Sequence, residues 1–163
     1  MRLALLISVC LLMCGIVPSM AQKNRKIQEK ADKYFNEALA ERAARHNEAA
    51  CARMEQCLKF DTANIEANSL LGQWYFQDHR FDMAVETFRK ASFRCFEGRE
   101  TFAAPLVKSL IFAARPDEAL QYIATIATQR DTAQWNPLRR KAEATRDMMR
   151  RSWAPAVSVV QAV

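Results

Sequence analysis

The sequence predicts an all-α fold, an α-solenoid of about three helix-turn-helix repeats closed by a C-terminal capping helix. Three observations predict it. Segments 31–64 and 65–98 align at a spacing of 34 residues, a repeat length typical of paired-helix arrays. Within the second segment, small residues at Gly72, Ala84 and Ala91 alternate with Leu71, Tyr75, Phe81 and Phe88, the pattern that lets two antiparallel helices approach closely and fills the space beside them. Finally, the 163 residues are 50% apolar and 26% charged with three glycines, which suits one folded domain or short solenoid and excludes disordered, collagen-like and glycine-rich phosphate-loop chains.

Each element follows in order. Residues 1–21 carry Arg2, an apolar run from Leu3 to Val17, a break at Pro18 and small residues at Ser19 and Ala21, the pattern of a secretory signal peptide cleaved before Gln22. The apolar run is about 15 residues where a membrane span needs roughly 20. Acylation at Cys14 is the alternative use of this segment, although Met13 stands where a lipoprotein signal has a small residue. Residues 22–151 are the solenoid. Lys23–Lys30 extends the first helix with alternating charge, and Tyr34 and Ala38 serve that helix. Ala50, Met54, Cys57 and Leu58 serve its partner. In the second repeat, helices are expected from about Asn64 to Gln77 and Phe81 to Arg94, with Gly72 packed tightly against the preceding helix pair. A third copy, 100–133, keeps Leu106, Leu110, Ala119, Ile123 and Ile126, and Pro105 restricts its first helix to a short one. Asn136 and Pro137 open the capping helix, 136–151, whose apolar stripe is Leu138, Ala142, Thr145 and Met149. The valine-rich, uncharged tail, 152–163, reads as extended.

The residues of 65–98 resemble the tetratricopeptide repeat: Leu71-Gly72, Tyr75, Ala84, Phe88 and Ala91 stand at its characteristic places, with Asn68 where an aromatic residue is usual. The resemblance implies a right-handed solenoid whose first helices line a concave groove for a peptide or partner helix. It also looks like the start of a family of Bacteroidetes-type envelope proteins in which such repeats precede a β-propeller and an OmpA-like domain. No residues here correspond to that last domain, so peptidoglycan binding is not implied. Carried over place by place, the groove presents Phe35, Leu39 and Arg42, then Ser69, Gln73 and Phe76, then Ala104, Lys108, Ile111 and Phe112. The carboxylate clamp of co-chaperone members is absent, because Phe35, Leu39, Leu70, Thr101 and Pro105 hold its places.

Chemistry is sparse. His46 and His79, the two histidines, fall in turns. Cys57 reads as a buried thiol acting as a small hydrophobe, while export would permit Cys51–Cys95 or Cys57–Cys95 disulfides. No catalytic residue, cofactor or metal site is expected. The net charge is +6, and +5 once Arg2 leaves with the leader. Much of the excess lies on a basic face of Arg139, Arg140, Arg146 and Arg150. An exported chain rarely meets nucleic acid, so that face points to solvent, an acidic partner or anionic headgroups. The expected function is a non-catalytic scaffold of the bacterial envelope, in the periplasm or at the outer membrane, that docks an envelope protein in its groove. The alternatives are a tether held at a membrane by lipidation or by the basic helix, and an enzyme whose site the sequence hides.

Overall fold

The computed structural model describes the backbone of residues 2–127 and 133–160, and the side chains of 20–127 and 133–152. The described residues are all-helical, with no strand among them. Seven α-helices follow one another: α1 (Arg2–Ala43), α2 (Asn47–Phe60), α3 (Ile65–Gln77), α4 (Phe81–Arg94), α5 (Ala103–Phe112), α6 (Pro116–Ala127) and α7 (Asn136–Val160). Short 3-10 turns at Arg99–Phe102 and Ala133–Trp135 precede α5 and α7. The chain divides into two compact units, Met1–Ala67 and Asn68–Val163.

In the first unit α1 and α2 form a hairpin with a core of small side chains. Ala31 and Ala38 of α1 and Ala50, Cys51, Met54 and Cys57 of α2 are all buried. The α2 residues recur at one-turn and two-turn intervals, so they form one stripe. Tyr34 stacks on Phe60 with ring centroids 5.7 Å apart, and Arg53 reaches Glu37 at 3.6 Å across the two helices. Asn64 then starts α3, its side-chain oxygen accepting from the Ala67 N–H at 2.9 Å as an N-cap.

In the second unit the core is built from large side chains, Trp74, Tyr75, Phe88, Phe102, Leu106, Leu110 and Ile123. Ala84, Ala91 and Ala119 are fully buried between them. Gly72 is in tight contact, as its sequence context predicts. Its nearest neighbour is Phe88 of α4 in the same hairpin: an added Cβ would come 2.9 Å from Phe88 Cδ1 and closer still to Cε1 and Cζ. Pro105 lies in the first turn of α5, which is ten residues long, as its ring demands.

The turns that close the three hairpins share one construction. Each ends a helix with a residue in the left-handed region: Arg45 at φ 64°, His79 at φ 59° and Ala114 at φ 57°, spaced 34 and 35 residues apart. In each, that residue's N–H and the next donate back into the last helical turn, as in Arg45 N to Arg42 O and His46 N to Glu41 O. His79 and Arg80 bond Phe76 and Tyr75 in the same way, and Ala114 and Arg115 bond Ile111 and Leu110. These are Schellman caps, and all three lack the glycine that usually occupies the left-handed place.

The tail departs from expectation. The helix that begins at Asn136 does not stop near Arg151 but continues to Val160, where an extended segment was expected; 161–163 lie outside the described residues. Extending an existing helix needs no new nucleus, and that advantage outweighs the modest strand preference of Val157, Val159 and Val160. Residues 2–21 belong to α1, and no helix among the described residues is long and apolar enough to cross a membrane.

Candidate partner-binding cleft

The Asn68–Val163 unit holds an open cleft of about 560 Å³. Gln73, Phe76 and Gln77 of α3 form one wall, Ala104, Pro105 and Lys108 of α5 the other, and Leu138 of α7 closes an end. Phe88 contributes to the floor. The positions on α3 are set by helical spacing, since Gln73, Phe76 and Gln77 are three and four residues apart and share a face. On α5, Ala104 and Lys108 are four apart for the same reason. Ser109, fully buried beside them, donates to the Pro105 carbonyl at 2.8 Å, which satisfies both groups.

At the turn end of this cleft three rings meet. Phe76 lies 5.2 Å from Phe81 and 5.1 Å from Phe112, both edge-on, and Phe81 lies 5.4 Å from Phe112. Two ammonium groups cap the cluster: Lys108 Nζ is 5.1 Å from the Phe76 centroid and Lys141 Nζ is 4.3 Å from that of Phe112. Both distances are within cation–π range. Phe112 remains 42% exposed, while Phe76 and Phe81 are half-buried.

Four sequence-selected groove residues, Gln73, Phe76, Lys108 and Phe112, are therefore brought together. Phe35 and Arg42 lie in the first unit on one face of α1, both half-buried, with Leu39 between them at 39% exposure. Ser69 is half-buried on α3. Ile111 is corrected: at 5% exposure it is a core residue, because it lies three places from Lys108 on the flank of α5 that turns inward. Leu138 was missed as a cleft residue and Lys141 as the cation over Phe112, since the sequence assigns both to a terminal helix and gives no sign of which groove that helix meets.

The basic face is also redrawn. At about 100° per residue, Arg139, Arg146 and Arg150 fall within about 40° of one another, whereas Arg140 is about 100° from Arg139. Arg139 and Arg146 are half-buried, Arg140 and Arg150 exposed. The stripe includes Glu143, and Arg146 Nε sits 3.6 Å from Asp147. This arrangement is a mixed surface rather than a concentrated cationic one.

Elsewhere the titratable groups serve structure. Burial, with Asp61 and Asp32 adding to it, pushes the Cys57 thiol up to about 11, so it stays protonated at neutral pH. Cys51, Cys57 and Cys95 are all buried, and among the described residues neither Cys51–Cys95 nor Cys57–Cys95 is joined as a disulfide. Asn68, buried, points its amide at Cys95 Sγ at 3.9 Å. Glu118 takes a two-pronged bond from Arg115, at 2.6 and 2.8 Å, and another from Arg89 of α4 at 3.0 Å. The bond from Arg115, with Arg89 beside it, holds the Glu118 carboxyl below the usual carboxylate range. His46 meets Glu41 at 2.8 Å and His79 packs on Phe81, both in turns. Among the described residues no three His, Cys, Asp or Glu side chains converge as a metal site would require. Compared with known proteins, the chain matches no protein-family model and no curated protein.

Proposed function

We propose that this chain is an exported, non-catalytic scaffold of tetratricopeptide-like repeats that docks an envelope protein by a peptide or helix laid in its groove. One observation carries the reading: an open cleft whose walls are consecutive first helices, α3 and α5, lined by Gln73, Phe76 and Lys108. Half-buried aromatic rings beside flexible amides and an ammonium suit a peptide, which needs apolar anchors and backbone hydrogen bonds together. The recurrence of one turn at 34 and 35 residues supports a repeat architecture. The apolar run ahead of Ser19 and Ala21 supports export.

The test is selection of peptides from a displayed random library on the full chain, followed by Phe76→Ala. Enriched peptides should lose at least about tenfold in affinity to the variant, while helicity and melting temperature stay nearly unchanged. Collapse of the fold on Phe76→Ala would assign that ring to the core. Unchanged affinity would move the site away from the cleft.

A further inference from the structure

We infer that the guest of this cleft is an acidic peptide segment that presents carboxylates on either side of an apolar side chain. The inference rests on the groove reading above and adds the guest's chemistry.

Charge complementarity carries it. No Asp or Glu lines the cleft; its polar groups are amides, a hydroxyl and the Lys108 ammonium. Lys108 and Lys141 stand over opposite rings of the aromatic cluster, one on Phe76 and the other on Phe112. Neither lysine belongs to an ion pair among the described residues. An ammonium on a ring face keeps its outward N–H donors unspent, and a carboxylate is the side-chain partner that takes them most strongly.

The geometry adds a spacing rule. The two ring centroids are 5.1 Å apart and each ammonium is within 5.1 Å of its ring. The ammonium groups are thus separated by no more than about 15 Å, a span that a helical guest covers in at most about ten residues at 1.5 Å each. Phe112, 42% exposed, is the apolar surface beside the two ammonium groups that would take the guest's apolar side chain. A basic guest meets two like charges and no carboxylate in the cleft lining, so the same constellation selects against it.

The experiment uses the full chain and peptides enriched on it, each synthesised with its Asp and Glu residues intact and with Asn and Gln in their place. Acidic forms should bind at least tenfold tighter at low salt, and that advantage should shrink at high salt. Lys108→Glu and Lys141→Glu should each reduce the acidic preference, and the double variant should prefer Lys-bearing peptides. Both lysines are exposed, and unchanged melting curves confirm that the variants fold. Equal binding of acidic and neutral forms overturns the charge rule and leaves the groove reading standing. Binding of no peptide overturns both. Lys108-dependent binding of phosphatidylglycerol vesicles without any peptide binding would assign the ammonium pair to a lipid surface and overturn the inference.

Discussion

The two units solve the same problem, packing helices into a hairpin, with opposite materials. The first buries alanines and thiols, with Met54 the largest fully buried side chain among its described residues. The second buries Phe88, Phe102 and several branched residues, and brings the largest of these against a bare glycine backbone at Gly72. Small side chains gain little from burial individually and depend on close backbone approach; large ones gain more each but demand shape complementarity. The first unit should therefore be sensitive to added volume or charge, and the second to removed volume and to any volume added at Gly72.

The largest expected effect breaks the second unit. Phe88→Ala should cost about 3–5 kcal/mol in denaturant unfolding, the usual loss for a buried phenylalanine. Gly72→Ala should cost about 1–3 kcal/mol by overpacking, although alanine is the better helix former. The double variant should be more stable than the sum of the single costs implies, because the added methyl then enters the space left by the ring. Strict additivity would show that the glycine does not answer to Phe88.

Next comes a charge introduced into the first unit. Cys57 is fully buried and its thiol titrates near 11 rather than 9.0. Between these values the folded chain keeps a proton that the unfolded chain releases. Stability is intact below pH 9 and falls as pH rises toward 11, by roughly 2 kcal/mol. Cys57→Ala should flatten that part of the pH profile, measured by urea unfolding at pH 8, 10 and 11. A slope unchanged by the substitution would assign the alkaline loss to other groups.

The smallest effect sharpens the comparison, since it concerns a device that both units share. Ala114→Gly should stabilise the α5–α6 turn by up to about 1 kcal/mol, as glycine carries no penalty in the left-handed region. The gain should appear as a melting temperature raised by a few degrees. A lowered melting temperature would mean that the alanine methyl makes packing worth more than the backbone relief.

Much of this architecture was legible in the residues. The bounds of α3 and α4 follow from Asn64, the break at Asp78-His79-Arg80 and the alternation of small and large side chains, and the shortness of α5 follows from Pro105. The resemblance to a repeat whose first helices line a groove is what put Phe76, Lys108 and Phe112 on one surface; periodicity alone assigns angles around a helix. It does not say which neighbour fills the space opposite an angle. Ile111 was therefore placed in the groove, and neither the contact of Gly72 with Phe88 nor the approach of Lys141 to Phe112 had a signal. Valine content misread the tail because local preference is weaker than continuation of a formed helix.

The ion pairs behind the cleft have a consequence for how fast it can work. Arg115, in the turn that follows α5, reaches Asp82 at the start of α4 and grips Glu118, which is held in turn by Arg89. The helix that carries Lys108 is thus tied at its end to the helices on either side, which favours the wall it forms moving with them. A guest would meet a recess already shaped, with little ordering left to complete after contact. Association would then be governed by encounter and orientation rather than by rearrangement, and differences in affinity among guests would be expressed chiefly in how long each one stays.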